Sequence, residues 1–523
     1  MLTSLELENF KGFAARQRID FAPLTLLFGA NSAGKSTILQ ALLYLHELIE
    51  RGLADVDRTE LGGNVVELGG FARLVHRHET DRTIALRAEF ATPLSLECFG
   101  RDLADFPFPD LDDEIASVWV ELKVSRRREL HPAIAVVESM QIGVPNHPRP
   151  LVIIDLIGQM RFGEPLYVRV NLAHPLLATG GLELRDAWRE LSVPEPLWHG
   201  GIDPNSGEHV ISLDDIYQLD DEHGPMPLFA VSRFRNSAIP PLNEPLHVIA
   251  DKETQTNHAD TFRHIRAFLD MVVLGTTVQL AEFLRDAQYI GPLRAIPPRG
   301  FLYERAGRTG SWGDGLAAWD LLLADRLTLV ERTSAWLQRL GSRCHLVVQQ
   351  LLDSRADAED VSDSHVDATV RRLLLSTEAG SLVLPSEVGA GISQIVPVVV
   401  AALEGRSGLT LIEQPEIHVH PAMQVGLGDL FIEAVTVDFI RRTLLIETHS
   451  EHLILRLLRR IRETTEKELT DAAPAFSDDK LSVLYIESTP EGVRVRRLRV
   501  DEHGEFTDHW PKGFFAERMQ ELL

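Results

Sequence analysis

A glycine-rich segment at residues 29–36 has the residue types and the spacing of a phosphate-binding loop. It reads GANSAGKS and lies between an apolar run typical of a buried strand, residues 24–28, and a segment with apolar residues at helical spacing, residues 38–48. Its glycines let backbone N–H groups approach a phosphate chain, Lys35 adds a positive charge, and the Ser36 hydroxyl can ligate Mg²⁺. The segment therefore predicts nucleotide binding with Mg²⁺.

A second glycine-rich helix start lies far along the chain, at residues 384–394. It leads into a strongly apolar helix candidate that ends near residue 403. Backbone N–H groups at such a helix start suit a γ-phosphate, and the alternative is an ordinary N-capped core helix. The candidate residues are Gly389, Gly391, Ser393 and Gln394.

Polar side chains follow two further buried strands of the predicted sheet. Residues 409–412 form an apolar run broken only by Thr410, as in a parallel strand buried on both faces, and Glu413 comes next. Residues 443–446 form another such strand, which His449 follows closely. Open α/β sheets bind ligands at the carboxyl ends of their strands, so Glu413 is predicted to hold Mg²⁺ and His449 to reach the γ-phosphate or the attacking water.

Zinc and disulfide frameworks are disfavoured by the sequence. His418 and His420 suggest metal ligation, but zinc generally needs three or four convergent ligands and no third is evident. The two cysteines, Cys98 and Cys344, are too few and too far apart for a framework. A reducing cytoplasm is the predicted compartment.

The formal net charge of −25 argues against a broad nucleic-acid-binding surface, because phosphate backbones are bound mainly through accumulated Lys and Arg. Each local arginine cluster is interpreted as a solvated face, with DNA contact as the alternative. The clusters are Arg126, Arg127 and Arg128; Arg456, Arg459, Arg460 and Arg462; and Arg494, Arg496, Arg497 and Arg499.

No membrane segment is predicted. The longest apolar run, residues 395–403, is interrupted by Pro397 and is far shorter than a membrane span. The amino terminus is charged from Glu6 onward and lacks the apolar core of a signal peptide.

The middle of the chain, residues 92–286, has a weaker pattern. Strand-like segments such as residues 118–124 and 151–156 alternate with Pro-, Gly- and Asp-rich stretches, and a helical part lies near residues 260–286. A sustained heptad, the mark of a long coiled-coil arm, is absent. This region is interpreted as a compact inserted α+β lid.

Six motifs together resemble a known family. They are ENFKGF, GANSAGKS, VGAGISQIVP, LIEQPEIHVHP, LLIETHSEHLI and the closing WPKGFF. In this order they resemble the ABC-type ATPase heads shared by RecF, the SMC proteins and the overcoming-lysogenization-defect (OLD) family. The chain looks most like stand-alone bacterial AAA-type ATPases whose carboxyl end carries a DUF3696 domain.

The resemblance implies an α/β fold, an ABC/SMC-like P-loop ATPase head with a mixed sheet flanked by helices. It divides the chain into the first part of the head at 1–91, the insertion at 92–286, the second part at 287–475 and a DUF3696-like segment at 476–523. By this likeness Glu413 takes the Walker B metal position with Ser36, and His449 is the switch histidine. The Walker A residues are Gly29, Ala30, Asn31, Ser32, Ala33, Gly34, Lys35, Ser36 and Thr37.

In such heads the signature, here Gly389, Gly391, Ser393 and Gln394, completes the Walker A site of a second subunit. The resemblance therefore implies ATP, Mg²⁺ and a head-to-head homodimer, or a higher oligomer, with Ser393 facing the partner's γ-phosphate.

One position departs from the usual pattern of these heads. The residue after the Walker B acid is normally a catalytic glutamate, and here it is Gln414. An amide can orient water but cannot act as a general base. Either Glu416 supplies the carboxylate, or turnover is slow and ATP acts chiefly as a dimer clamp. The expected catalytic set is Glu413, Gln414, Glu416 and His449.

The expected task is that of a sensor or motor subunit in a bacterial anti-phage or DNA-maintenance system. About seventy residues follow His449, too few for the Toprim nuclease domain of OLD enzymes, so a separately encoded effector, a nuclease or toxin, is expected. The alternative is a non-catalytic ATP-gated scaffold. A transporter ATPase is disfavoured by the ENFKGF opening and the middle insertion.

Overall fold

The computed structural model describes most of the chain. The described residues are 1–59, 66–91, 117–127, 134–145, 147, 149–156, 165–177, 182–191, 201–202, 209–210, 228–231, 237–299, 301, 311–324, 328–351, 370–404, 408–436, 442–470 and 473–511. Arg128 and the WPKGFF motif beyond Pro511 lie outside them.

The strands are β1 (Leu2–Glu8), β2 (Gln17–Asp20), β3 (Leu24–Gly29), β4 (Arg58–Thr59), β5 (Val66–Glu67), β6 (Ile84–Ala91), β7 (Ser117–Arg127), β8 (Ile134–Gly143), β9 (Val152–Asp155), β10 (Leu166–Val170), β11 (Gly201–Ile202), β12 (His209–Val210), β13 (Leu228–Val231), β14 (Gln288–Ile290), β15 (His345–Leu351), β16 (Val370–Ser376), β17 (Leu382–Val383), β18 (Gly408–Glu413), β19 (Arg442–Glu447), β20 (Leu481–Thr489) and β21 (Gly492–Leu498).

The α-helices are α1 (Lys35–Arg51), α2 (Phe71–Leu74), α3 (Leu182–Glu190), α4 (Lys252–Asn257), α5 (Ala259–Leu269), α6 (Thr276–Arg285), α7 (Leu316–Ala324), α8 (Thr328–Arg339), α9 (Ala390–Leu403), α10 (Pro421–Thr436) and α11 (Glu451–Thr465). A π-helical segment, Asp270–Gly275, joins α5 to α6. Short 3₁₀ helices cover His76–His78, Pro175–Leu177, Pro385–Glu387 and Asp478–Lys480.

A six-stranded sheet in the order β14-β18-β19-β3-β20-β21 forms the centre of the head. Its neighbouring strands pair in parallel, except for β20 and β21, which form an antiparallel hairpin at the edge. Every residue of β3, β18 and β19 is buried, because alternate side chains enter two different cores. In β19, for example, Leu445 joins one core and Leu444 and Ile446 join the other.

An eight-stranded antiparallel sheet, in the order β13-β10-β9-β8-β7-β6-β1-β2, lies on one side of the head. The first core lies between this sheet and the central sheet and contains α1, α5 and α6. The second core, on the other face of the central sheet, contains α7, α8, α9, α10 and α11. The predicted fold class, a mixed sheet flanked by helices with an α+β insertion, is confirmed.

Strand pairing crosses the predicted boundary between residues 91 and 92. All of strand β6 pairs with strand β7 of the insertion, from Ile84 opposite Val124 to Ala91 opposite Ser117. Strands β8, β9, β10 and β13 extend the same sheet. The described strands of the insertion therefore continue the sheet begun by the amino terminus.

One helical run among the described residues, Ala259–Arg285, is long and apolar enough to cross a membrane. Of its most apolar window, 78% is buried inside the structure. The run belongs to the first core, where α6 packs against α1 and β7, so its hydrophobicity is accounted for by internal packing.

Candidate nucleotide-binding site

The phosphate loop connects β3 to α1, as its sequence predicts. Gly29 has a φ of +148°, and a Cβ at this position would lie 2.3 Å from the carbonyl oxygen of Ile486 on β20. Only glycine fits here, because both the backbone angle and the neighbouring strand exclude a side chain. No side chain caps the start of α1 at Gly34, which leaves the positive end of the helix facing the loop.

Lys35 is held inside the loop. Its side chain is 4% exposed, and Nζ donates hydrogen bonds to the carbonyl oxygens of Gly29 at 3.0 Å and Ala30 at 2.9 Å. Its Nζ also lies 3.7 Å from the Glu447 carboxylate. Burial lowers the pKa of Lys35, and the Glu447 charge opposes this effect. The loop carbonyls and the Glu447 carboxylate thus hold the Lys35 amino group inside the loop.

Glu447 is a site residue that the sequence interpretation missed. The Ser36 hydroxyl donates a hydrogen bond to Glu447 Oε2 at 2.8 Å. The register of β18 and β19 pairs Glu413 with Glu447, so two carboxylates end neighbouring strands beside the loop. The available signal was the position of Glu447 at the end of a predicted strand, the same signal that identified Glu413.

Glu413 has an unusually high pKa. Burial, and then the nearby Glu447 charge, raise the pKa of Glu413 to about 7. The Tyr289 hydroxyl, on β14, donates a hydrogen bond to Glu413 Oε1 at 3.0 Å. Two crowded carboxylates and the Ser36 hydroxyl make an all-oxygen donor set, which is the kind that Mg²⁺ prefers. Ser36, Glu413 and Glu447 therefore fit a magnesium site.

Glu416 and His449 come together across the turn that follows β18. The backbone N–H of His449 donates to Glu416 Oε1 at 2.7 Å, and the Thr448 hydroxyl donates to Oε2 at 2.9 Å. Burial raises the pKa of Glu416. Burial, and then the charge of Lys35, lower the pKa of His449, which favours a neutral imidazole. A carboxylate and an imidazole are thus available at the same end of the sheet.

Gln414 begins this turn with a left-handed backbone, at a φ of +44°. Its backbone N–H donates to the carbonyl oxygen of Glu447 at 2.7 Å, so it continues the pairing of β18 with β19 for one more residue. The left-handed angle bends the chain sharply after Glu413. Gln414 therefore lies within the site, next to the candidate metal ligands Glu413 and Glu447, as the motif predicts.

The residues predicted to form the signature differ in how far they are exposed. Gly389 and Ala390, at the start of α9, are exposed. Gly391 packs so closely on the turn after β18 that a Cβ would lie 2.7 Å from the His418 carbonyl oxygen. Helix α9 thus starts at the surface and rests on the turn after β18.

Ser393 and Gln394 point into the protein. The Ser393 side chain is fully buried and donates to the Pro385 carbonyl oxygen at 2.7 Å. Gln394 is 8% exposed and bonds with the backbone of Arg294. The expectation that Ser393 faces a partner's γ-phosphate is therefore wrong for this conformation, because its hydroxyl is already used inside the chain.

The other sequence candidates have local roles. His420 Nδ1 accepts a hydrogen bond from the Ala422 N–H at 3.2 Å near the start of α10, and His418 is exposed on the turn. Within the second arginine cluster, Arg460 is bonded to Asp429 through Nε at 2.7 Å and Arg459 to Glu463 at 2.5 Å. These ion pairs neutralise much of that cluster.

Comparison with known proteins finds two separate segments of the chain that match family models, and both segments contribute residues to this site. Residues 1–102 match a family model described as an AAA ATPase domain. Residues 334–456 match a model described as an AAA domain, putative AbiEii toxin, type IV TA system. The first segment carries the phosphate loop and the second carries Glu413, Glu416 and His449. The site therefore combines residues from two segments that are similar to AAA domains.

Solved structures of SMC heads also match the chain. A head bound to the C-terminal winged-helix domain of ScpA has 9% identity and a TM-score of 0.41, covering 95% of this chain and 98% of that chain. A Pyrococcus furiosus head bound to the C-terminal domain of ScpA has 10% identity and a TM-score of 0.37, covering 100% and 98%. A Thermotoga maritima head has 9% identity and a TM-score of 0.35, covering 95% and 99%. No protein of curated function matches.

Proposed function

We propose that the chain binds and hydrolyses ATP with Mg²⁺ and, as its resemblance to ABC-type heads implies, forms a homodimer around it. One observation carries this proposal: Lys35, Ser36, Glu413 and Glu447 converge at the ends of the adjacent parallel strands β3, β19 and β18. A cation, a hydroxyl and two carboxylates in this arrangement match what a nucleoside triphosphate and its magnesium ion require.

Each residue has a defined part in this proposal. Lys35 exchanges the carbonyl oxygens of Gly29 and Ala30 for phosphate oxygens. Ser36, Glu413 and Glu447 would hold Mg²⁺, which supplies charge neutralisation for the phosphates. Glu416, fixed by Thr448 and His449, accepts the proton of the attacking water.

Turnover by the purified protein tests the proposal. We expect Mg²⁺-dependent release of phosphate from ATP that is lost on chelation and in Lys35→Ala, and retained in Lys252→Ala, which changes an exposed lysine. The assay is repeated with duplex DNA to detect stimulation. Absence of both ATP binding and turnover in the wild-type protein would contradict the proposal.

A non-catalytic ATP-gated scaffold is the second candidate, and Gln414 favours it. An amide next to Glu413 lacks a basic lone pair, so the site could hold ATP without cleaving it at an appreciable rate. ATP-dependent dimerisation without phosphate release would support this candidate. Light scattering and a phosphate assay on the same sample separate the two.

For the biological task, we propose a cytoplasmic sensor or motor subunit of a bacterial anti-phage or DNA-maintenance complex. The OLD-like motifs support this, as does the similarity of residues 334–456 to the AAA domain of a putative AbiEii toxin from type IV TA systems. A separately encoded nuclease or toxin would be the effector. Co-purification with the product of the neighbouring gene, with and without ATP, tests the partnership.

A further inference from the structure

A buried arginine lies between the signature helix and the Walker B turn. Arg294 follows β14 and is 4% exposed. Its Nη2 donates to the carbonyl oxygens of Glu413 at 2.6 Å and Gln414 at 3.3 Å. The guanidinium thus holds the backbone where the chain bends from Glu413, a candidate metal ligand, towards Glu416.

The backbone of the same residue is tied to the signature helix. The Arg294 N–H donates to Gln394 Oε1 at 3.1 Å, and the Gln394 side-chain amide donates to the Arg294 carbonyl oxygen. A shift of α9 would therefore move Arg294, and with it the turn after β18. One residue thus joins the signature helix to the Walker B turn through hydrogen bonds.

The remaining donors of Arg294 are unsatisfied. Nε and Nη1 are buried and have no hydrogen-bond partner among the described residues. Burial lowers the pKa of Arg294 to about 10, and attraction to Glu416 and Glu413 opposes this. A buried charge with unpaired donors destabilises a fold, whereas an apolar residue of similar size would not. Packing alone does not account for an arginine here.

We propose that Arg294 is a positioning residue for ATP hydrolysis, transmitting the position of the signature helix to the turn that carries Gln414 and Glu416. Its positive charge holds the Glu416 carboxylate in place, and its bonds to Gln394 make that placement depend on α9. This inference rests on the proposed ATPase function and adds to it a link between the dimer-forming helix and the catalytic carboxylate.

Arg294→Met tests the proposal because methionine keeps the apolar stem and removes the charge. We expect kcat to fall about 10- to 100-fold, as for other residues that orient site ligands, with ATP affinity within about twofold. The melting temperature should stay unchanged or rise. A structural role predicts instead a lower melting temperature with little change in kcat.

Arg294→Lys serves as the conservative variant, since it retains the positive charge. We expect its kcat to be at least about fivefold above that of Arg294→Met, because charge carries the effect. If Arg294→Met fails to fold, Arg294→Gln replaces it, since glutamine keeps amide donors for the two carbonyl oxygens. A kcat for the uncharged variant within about twofold of wild type would overturn the proposal.

A double-mutant cycle tests the link to α9. Gln394→Leu should lower kcat, and the double variant Arg294→Met/Gln394→Leu should be no slower than Arg294→Met alone. Independent losses that multiply would overturn the coupling. Wild-type protein without Mg²⁺-dependent turnover would overturn the proposed function together with this inference, whereas an active wild type with a fully active Arg294→Met overturns this inference alone.

Discussion

At the residue scale, the proposed phosphate loop encloses the side chain of Lys35. Among the described residues around the loop, Lys35 is bonded to the loop carbonyls and lies beside a buried carboxylate. Charge-assisted hydrogen bonds to phosphate are stronger than neutral ones, so this one side chain can dominate the affinity for ATP.

We therefore expect Lys35→Ala to weaken ATP binding about 10- to 100-fold, the equivalent of one charge-assisted hydrogen bond. Equilibrium titration with a fluorescent ATP analogue measures this. Lys252→Ala, at an exposed position on α4, is the control. Equal affinity in Lys35→Ala and wild type would count against this site.

Glu447 gives a second prediction, because its assignment to the metal site comes from geometry alone. Glu447→Gln should raise the Mg²⁺ concentration needed for half-maximal turnover and lower turnover about tenfold or more, since the amide retains a bond to Ser36 but is a poorer metal ligand. Glu487→Gln, on an exposed part of β20, is the matched control. Unchanged Mg²⁺ dependence would remove Glu447 from the metal site.

Gln414 and Glu416 give a paired prediction. Gln414→Glu adds a negative charge next to Glu413, whose pKa is already raised to about 7 by burial and by Glu447. A further like charge would raise carboxylate pKa values again, so the rate should stay flat or fall. Glu416→Gln should lower the rate about 100-fold or more if Glu416 is the base. A faster first variant with an unaffected second would show that Glu416 is not the base.

At the element scale, much of the site could be predicted because it lies at strand ends. Three apolar runs identified β3, β18 and β19, and the rule that ligands bind at carboxyl ends placed Glu413 and His449. The pairing of Glu447 with Ser36 could not be predicted, because it depends on which strands are neighbours. That order is set by packing over long sequence separations.

The burial of Ser393, in contrast, was not predicted. The sequence pattern identified the helix but did not decide which face of α9 the serine occupies. Ser393 shares a face with Val396, Pro397 and Val400, and all four are buried. The helical spacing of these apolar residues already indicated a core position.

Dimerisation should therefore be tested at the exposed start of α9. We expect Gly389→Arg to leave the monomer folded, since nothing lies within 4 Å of a Cβ built there, and to block ATP-dependent dimerisation by adding bulk and charge. Light scattering with ATP and Mg²⁺ measures this, with Asn257→Arg as an exposed control. Normal dimerisation of Gly389→Arg would exclude this surface from the interface.

Ser393→Arg should instead unfold the region around α9, at a cost of about 3–5 kcal/mol in the free energy of unfolding, because it buries an unpaired charge.

At the scale of the whole molecule, strand content was easier to predict than strand partners. The alternating pattern in the middle of the chain identified segments such as residues 118–124, which lie within β7. The pairing of β7 with β6 is a long-range choice that local patterns do not encode, since many strands could occupy the same edge. The insertion was therefore interpreted as a lid, although its described strands extend the eight-stranded sheet.

This arrangement leads to a prediction that separates a lid from a structural layer. If residues 92–250 are replaced by a short flexible linker, β6 becomes an edge strand, and α6 loses the contact with β7 that helps cover the first core. Exposed strand edges and apolar surface promote aggregation, so we expect an insoluble protein, or one that unfolds at a much lower temperature. Size-exclusion chromatography and thermal unfolding measure the outcome, and insertion of the same linker between residues 91 and 92 without deletion is the control. A soluble deletion variant that still binds ATP would show that the head folds independently and that the insertion is a separate lid.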